Sequence, residues 1–185
     1  MVSPIAQLRD IETRSLAKKS QLPTTAERFN EWRGVGFRIG NLEIVTSMDN
    51  IVEILEPVTC TRVPSSTQWF DGIANVRGQL VPVTDLHSFL MGERHPPNRS
   101  MRVVVFRLTN TLVGLGVSSV TGIRNFREDS MDQDLPDVPE QLRPFLVGCY
   151  HRAGDDFPVF DFNRIVSNER FMHIVEAVDS PRNQL

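Results

Sequence analysis

The feature that most constrains the fold of this chain is a repeat between its two halves. Residues 70–90, FDGIANVRGQLVPVTDLHSFL, align without a gap with residues 146–166, LVGCYHRAGDDFPVFDFNRIV, at a shift of 76 positions. Identical residues occupy the aligned pairs Gly72 and Gly148, Gly78 and Gly154, Pro82 and Pro158, Val83 and Val159, and Asp85 and Asp161. Residues 37–54 align with residues 106–123 at a shift of 69. The order of elements repeats, which predicts two homologous units in tandem.

Both units have the composition of short β-strands. From Gly36 onwards, runs of Val, Ile, Phe and Leu are broken by Gly, Pro, Asn and Asp, which is typical of strands joined by tight connections. A unit of about 60 residues is too small for a large sandwich, whereas a small closed barrel leaves few strand edges unpaired. The sequence therefore predicts a mostly β fold built from two small barrels.

Glycines of the repeat are expected at changes of chain direction. Hairpins are predicted to turn near Gly78 and Gly154. In the segment SSTQWFDG, Ser65 and Gln68 have the spacing of a capping box, and Gly72 is placed to end a helical turn.

The repeated prolines and aspartates also have architectural explanations. Pro82 and Pro158 cannot donate to a sheet ladder, so they are expected at strand edges or beside bulges. Asp85 and Asp161 follow predicted strands, where a carboxylate can cap a short helix, and capping explains two copies better than catalysis does. Structural roles are accordingly predicted for Gly72, Pro82, Asp85, Gly148, Gly154, Pro158 and Asp161.

The segments that flank the repeat predict helices. Residues 1–31 form a leader in which Ser3 can cap a helix, Pro4 suits its first position, and an amphipathic stripe runs to residue 19. The domain is expected at 32–168, with units at about 33–92 and 101–167, followed by a C-terminal helix and tail at 169–185. Phe171, Ile174 and Val178 have helical spacing there. The acidic loop 128–140 is open to two interpretations, a disordered tether or an additional docking element.

Composition excludes several classes of protein. The net charge of -3 comes from acidic and basic residues mixed along the chain, so no basic face is available for nucleic acid. Cys60 and Cys149 are too few for a disulfide framework, and reduced thiols in a reducing compartment are expected. There is no apolar run long enough for a membrane span and no signal peptide, which predicts a cytoplasmic protein without membrane insertion.

Motifs for catalysis or cofactor binding are weak. The stretch GLGVSS lacks the third glycine of a dinucleotide loop, and no serine lies in a GxSxG elbow. Asp155 and Asp156 are expected in a solvated turn. Scattered histidines without paired ligand spacing predict no metal site, and these are His87, His95, His151 and His173. No cofactor is expected.

The most informative difference between the two units is a pair of charges. Glu53 aligns with Gly122, and Arg77 aligns with Ala153, so only the first unit carries both charges. If the two side chains converge, a carboxylate–guanidinium pair would fix the hairpin against the preceding strand. The alternative is two unrelated solvated charges.

These residues resemble a known family. GIANVRGQLVPVTDL resembles the hallmark of CheW-like domains, in which an Asn, an apolar residue, Arg and Gly precede an apolar strand with Pro and a closing Asp. The resemblance runs from about residue 32 to residue 166 and includes the segment IVEI. EWRGVGFRIG, ANVRG and PFLVGCYHR are similar to the branch of the family found in type IV pilus, or twitching motility, chemosensory systems.

The resemblance implies a non-enzymatic adaptor with two intertwined, SH3-like, five-stranded barrels. CheW-like adaptors bind the regulatory domain of a CheA-type histidine kinase and the cytoplasmic tip of a methyl-accepting chemoreceptor, at receptor arrays beside the membrane. The implied partner-binding or interface-shaping residues are Glu53, Asn75, Val76, Arg77 and Gly78. The competing hypothesis is a small-molecule sensor or hydrolase that uses a groove between the barrels, with Arg77 binding an anion and His87 nearby.

Overall fold

The computed structural model describes residues 31–94, 96, 98–108 and 111–173. The chain divides into two units, Met1–Glu31 and Trp32–Leu185, and all the described residues except Glu31 belong to the second. In chain order the strands are β1 (Glu31–Ile39), β2 (Leu42–Ser47), β3 (Ile51–Leu55), β4 (Phe70–Val76), β5 (Gln79–Asp85), β6 (Arg102–Leu108), β7 (Thr111–Val117), β8 (Ser119–Arg127), β9 (Leu146–Arg152) and β10 (Asp155–Phe160). The α-helices are α1 (Leu86–Met91) and α2 (Phe162–Val166), and short 3-10 helices cover Glu128–Ser130 and Arg143–Phe145.

The ten strands form two five-stranded sheets that exchange strands between the two halves of the chain. Sheet 1 has the order β8-β1-β2-β10-β9, and sheet 2 has the order β3-β6-β7-β5-β4. Each sheet thus combines the first hairpin of one half with the second hairpin of the other, joined by parallel pairing of β2 with β10 or of β5 with β7. The prediction of a mostly β, intertwined fold with two five-stranded units is confirmed.

Apolar side chains fill three clusters that follow this exchange. The largest cluster takes residues from both sheets and both helices, and in it the rings of Phe106 and Phe162 stack with centroids 4.1 Å apart. A smaller cluster lies within sheet 2 and includes Val76 and Val81. Another lies within sheet 1, where the rings of Phe126 and Tyr150 stack. Since the largest cluster needs both sheets, the two halves are expected to fold together rather than separately.

In both halves, a loop packs closely against a strand next to an equivalent glycine. The backbone of Thr61 exchanges two hydrogen bonds with Ile73, and the backbone of Asp132 exchanges two with Cys149. A Cβ atom on the preceding glycine would lie against the carbonyl oxygen of Thr61 or of Asp132. The expectation that Gly72 ends a helical turn is wrong, because this glycine lies inside β4. It permits the close approach of the loop instead.

The repeated prolines and aspartates occupy equivalent places. Asp85 Oδ1 accepts a hydrogen bond from the Ser88 amide at the start of α1, and Asp161 Oδ1 accepts one from Asn163 at the start of α2. This is the capping geometry expected for carboxylates that directly follow strands.

The two prolines lie next to irregularities of the ladder. Pro82 lies in β5, opposite Ile73, which is the neighbour of a register shift in β4. Pro158 precedes a register shift between Val159 and Phe160 in β10. Each proline is itself paired and lies one residue before the valine that borders the shift, which fits the expected place beside a bulge. The strand-edge alternative is wrong, because β5 and β10 are inner strands.

The flanking predictions have different outcomes. The leader helix lies outside the described residues. Residues 169–173 are helical and Phe171 is buried in the largest cluster, whereas the rest of the predicted C-terminal helix lies outside the described residues.

The acidic loop is packed against the fold through Asp132 and the buried Val138, which rules out the tether interpretation. Asp155 and Asp156 open β10 rather than forming the turn. The limits of the domain and of its units stay predictions.

Candidate functional site

The hairpin between β4 and β5 has a two-residue turn whose residues explain its shape. Val76 pairs with Gln79, which leaves Arg77 and Gly78 as the central residues, with φ angles of 51° and 83°. Positive φ at both positions is what a type I′ turn requires, and this turn matches the twist of the flanking strands. Asn75 Oδ1 accepts a hydrogen bond of 2.8 Å from the Gly78 amide. The Asn, Arg and Gly of the motif therefore build one rigid turn.

An ion pair connects this turn to the opposite edge of the same sheet. Arg77 Nη2 lies 2.5 Å from Glu53 Oε1. Glu53 lies in β3 and Arg77 follows β4, and these are the two outermost strands of sheet 2. Contact between the two ends of a strand order requires the sheet to curl round toward a closed barrel. The structure thus brings Glu53 and Arg77 together, through one nitrogen–oxygen contact rather than a bidentate pair.

The two partners differ in exposure. The Arg77 side chain is 80% exposed and that of Glu53 is 21% exposed. Solvent screens a pair of this kind, so its contribution to stability is about 0 to 1 kcal/mol. The ion pair is therefore better suited to orienting the guanidinium at the surface than to holding the barrel together.

A shallow groove lies beside the ion pair. All five strands of sheet 2 and the β4–β5 turn contribute to its described lining, which consists of Val52, Glu53, Val76, Arg77, Gln79, Val105, Arg107 and Leu112. The groove residue Val52 is exposed, and so is Ile54 of the same outermost strand β3. His87 lies in α1, where Nδ1 is 3.0 Å from the Glu93 carbonyl oxygen. Arg77 precedes β5 and His87 follows it, so the two residues lie at opposite ends of this strand, and the expectation of a His87 near Arg77 is wrong.

The second half repeats the turn without the charges. Ala153 and Gly154 have φ angles of 55° and 90° between the paired residues Arg152 and Asp155, so this turn has the same shape. Gly122 occupies the position equivalent to Glu53. Ile123 is exposed and occupies the position equivalent to Ile54, which is also exposed. An exposed isoleucine on an outermost strand is thus common to both halves, whereas Val52 aligns with Thr121 and the ion pair is present only in the first half.

A polar cluster in sheet 1 was not predicted from the sequence. Glu43 Oε1 accepts hydrogen bonds from Thr121 Oγ1 at 2.8 Å and from Arg124 Nη2 at 3.0 Å. Gly36 lies between them in β1, where a Cβ atom would meet Thr121 Oγ1. The glycine leaves room for side chains from β2 and β8 to meet across β1. The sequence carries no spacing signal for this contact, since its partners are 81 residues apart.

Comparison with known proteins decides the family. The family model described as CheW-like domain matches residues 33–170. The chain belongs to the CheW-like family. CheW-like proteins are scaffolds of chemotaxis signalling rather than enzymes, and this chain is a scaffold of that kind.

Relatives and a solved structure agree with the CheW-like assignment. The chain is 33% identical over 172 residues to protein PilI of Pseudomonas aeruginosa, covering 93% of this chain and 96% of PilI. It is 28% identical to the chemotaxis protein CheW of Thermotoga maritima, covering 78% of this chain and 94% of that CheW. The fold is similar to the crystal structure of the scaffolding protein TtCheW from Thermoanaerobacter tengcongensis, with a TM-score of 0.64 and 20% identity over 71% of this chain and 89% of TtCheW. Within the described residues, no helix has the length and apolar character needed to cross a membrane.

Proposed function

We propose that this CheW-like protein is an adaptor that couples a methyl-accepting chemoreceptor to a CheA-type histidine kinase in a type IV pilus chemosensory system. The similarity to PilI along 93% of the chain carries this proposal. On this proposal, the protein works in the cytoplasm at membrane-associated receptor arrays and supports twitching motility. Its partners are the regulatory domain of the kinase and the cytoplasmic tip of the receptor.

The surface around the Arg77 turn has the chemistry of a docking site. Val52 and Ile54 are 43% and 39% exposed on an outermost strand, and apolar side chains beside a few charged anchors are typical of exchangeable interfaces. Arg77, which is held by Glu53, lines the same groove as Val52. A partner would therefore meet an arginine whose orientation is already restricted, which lowers the entropy lost on binding.

The five residues of this candidate site are assigned different roles. Arg77 is exposed and can contact a partner, whereas Val76 is buried and can only shape the turn. Asn75 and Gly78 hold the turn through their hydrogen bond. Glu53 positions the guanidinium. We assign direct contact to Arg77 and interface-shaping roles to the other four residues.

The small-molecule hypothesis has less support. The groove beside Arg77 holds ≈ 260 Å³, which is below the roughly 300 to 1,000 Å³ typical of ligand pockets. Its titratable lining residues are Glu53, Arg77 and Arg107. Those side chains include no pair of nucleophile and base of the kind that hydrolysis uses.

The proposed function is tested by kinase activity in a reconstituted array. A CheA-type kinase and receptor fragments from the same cell would be assembled with and without the protein, and kinase autophosphorylation would be measured. We expect receptor control of the kinase only when the protein is present. Arg77→Ala should weaken this control while the variant stays folded. The matched control is Arg127→Ala, because Arg127 also forms an exposed ion pair, with Asp129.

Two results would overturn the proposal. One is receptor control of the kinase that is the same with and without the adaptor. The other is failure of the kinase to copurify with the protein from the native cell under conditions that preserve receptor arrays. Saturable thermal stabilisation by one metabolite, together with the absence of kinase binding, would favour the small-molecule hypothesis.

A further inference from the structure

Four potential metal ligands converge on the second half of the fold, away from the Arg77 turn. Cys149 and His151 lie two residues apart in β9, on the same face of the strand. Asp156 of β10 pairs directly with His151 in the ladder. Donor atoms of these three residues all lie within 4.8 Å of one another. Asp132 Oδ2 lies 4.0 Å from His151 Nε2. The cluster therefore combines sulfur, nitrogen and oxygen donors from three segments.

The backbone fixes the positions of these segments. Two hydrogen bonds of 2.8 Å join the backbones of Asp132 and Cys149, and the β9–β10 ladder fixes Asp156 opposite His151. Tetrahedral zinc with Zn–S near 2.3 Å and Zn–N or Zn–O near 2.1 Å has ligand atoms about 3.5 Å apart. His151 Nδ1 and Asp156 Oδ1, now 2.7 Å apart, would need to separate, and the more distant donors would need to move closer. Rotation of the half-exposed side chains of His151, Asp156 and Asp132 can provide both movements.

The charges around the cluster favour a cation. In the described part of the chain, the ion pairs of Asp132 and Asp156 are both with His151, whose ring nitrogens face the two carboxylates. A divalent ion would attract both carboxylates and would hold the Cys149 sulfur as a thiolate.

The repeat shows that the fold does not need this cluster. The positions equivalent to Cys149, His151 and Asp156 are Ile73, Asn75 and Leu80. Thr61 makes the backbone contact that corresponds to that of Asp132. The first half thus forms the same hairpin and the same loop contact with two apolar side chains, Ile73 and Leu80, and the amide Asn75 in these positions. The donors are an addition that is specific to the second half.

We propose that Cys149, His151 and Asp156, with Asp132 as the fourth ligand, bind one Zn²⁺ ion. Binding forms a Zn–S bond with loss of the Cys149 thiol proton to solvent, and it replaces the contacts of His151 with the two carboxylates. The mixed S, N and O donor set selects zinc over Mg²⁺ or Ca²⁺, which prefer oxygen ligands. The ion would fasten the acidic loop to the β9–β10 hairpin. This inference revises the expectation of no metal site and is independent of the adaptor function.

The test is Zn²⁺ binding by the full chain, with no affinity tag, after reduction and removal of metal. Equilibrium dialysis should give one Zn²⁺ per chain with micromolar or tighter affinity, and the melting temperature should rise with Zn²⁺ until the site saturates. Co²⁺ in place of Zn²⁺ should give a near-ultraviolet thiolate-to-metal charge-transfer band. Cys149→Ser should remove this band.

Exposed ligands provide variants that should stay folded. His151→Gln and Asp156→Asn should each weaken Zn²⁺ binding at least tenfold, and stability without metal should change little. The matched controls are His87→Gln, Asp155→Asn and Cys60→Ser, which should bind as the unmodified protein does. Unchanged affinity in His151→Gln, a cobalt complex without the thiolate band, or binding only at millimolar Zn²⁺ would each overturn the site.

Discussion

Arg77 and Glu53 join the two outermost strands of one sheet through a contact of 2.5 Å, although they are 24 residues apart in the chain. The type I′ turn presents Arg77 at the tip of the hairpin, and the curl of sheet 2 brings β3 to meet it. The relationship therefore depends on both local turn chemistry and the closure of the sheet.

The first prediction concerns what this ion pair contributes. Arg77→Ala and Glu53→Ala should each lower the free energy of unfolding by about 0 to 1 kcal/mol, because solvent screens the pair. The coupling energy from a double-mutant cycle in urea should fall within the same range. The loss of receptor control of the kinase in Arg77→Ala should be large by comparison. Coupling above about 3 kcal/mol would instead assign the pair to the stability of the barrel.

The second prediction concerns the two glycines beside the loop contacts. A Cβ atom at Gly148 would lie 2.5 Å from the Asp132 carbonyl oxygen, so Gly148→Ala should destabilise the fold by about 1 to 3 kcal/mol. Gly72 has a similar steric conflict with Thr61 and also a φ of 128°. Gly72→Ala should therefore cost more than Gly148→Ala, as measured by urea unfolding.

Hydrogen exchange can localise the effect of the glycine substitutions. In Gly148→Ala the amides of Asp132 and Cys149 should exchange faster, while the equivalent amides of Thr61 and Ile73 should keep their protection. The pattern should be reversed in Gly72→Ala. Equal protection at both loop contacts in both variants would show that the glycines are not needed for the close approach.

The third prediction concerns the cap of α1. Asp85 is buried and its Oδ1 accepts a hydrogen bond from the Ser88 amide. Asp85→Ala should lower the free energy of unfolding by about 0.5 to 2 kcal/mol, because the amide loses its acceptor. Asp85→Asn keeps the oxygen acceptor and serves as the control, with a smaller loss in thermal unfolding. Equal losses in the two variants would mean that the negative charge, rather than the hydrogen bond, stabilises this helix.

Much of the fold could be predicted from the repeat, whereas the strand exchange could not. The glycine, proline and aspartate pairs indicate two equivalent hairpins, and the absence of Glu53 and Arg77 equivalents in the second half singles out the first turn. Apolar periodicity identifies strands but does not say which strand pairs with which. The exchange of hairpins between sheets was known only through the family resemblance.

Contacts that depend on the exchange were missed for the same reason. Arg124 reaches Glu43 only because β8 and β2 flank β1 in sheet 1. The proximity of Cys149 and His151 could be predicted from the sequence, since residues two apart in a strand share a face. The spacing of the histidines alone does not reveal the pair, because the second donor is a cysteine. The expectation for Gly72 failed because a glycine in the sequence indicates the end of a helix as readily as it indicates a close contact between a loop and a strand.

The fourth prediction concerns the reactivity of Cys60. Burial raises the pKa of the Cys60 thiol above its ordinary value, and the negative charge of Asp71 adds to this rise. Burial also raises the pKa of the Asp71 carboxyl. Arg94, whose Nη1 lies 2.9 Å from Asp71 Oδ1, lowers that pKa and so reduces the rise. Alkylation of Cys60 should therefore show its midpoint at a higher pH than the same cysteine in the unfolded chain, when followed by mass spectrometry of the labelled peptide. Asp71→Asn should lower this midpoint, because it removes the charge and leaves the burial.

Stability should follow the same titration. Because the pKa of the folded-state thiol lies above the unfolded value, the contribution of Cys60 to stability is complete below the unfolded-state pKa and is lost as the pH rises through the folded-state pKa. Cys60→Ser should remove this part of the pH dependence from urea unfolding curves. Asn98→Ala, a substitution in an exposed turn, should leave both profiles unchanged. An alkylation midpoint that Asp71→Asn does not move would show that burial alone sets the pKa of Cys60.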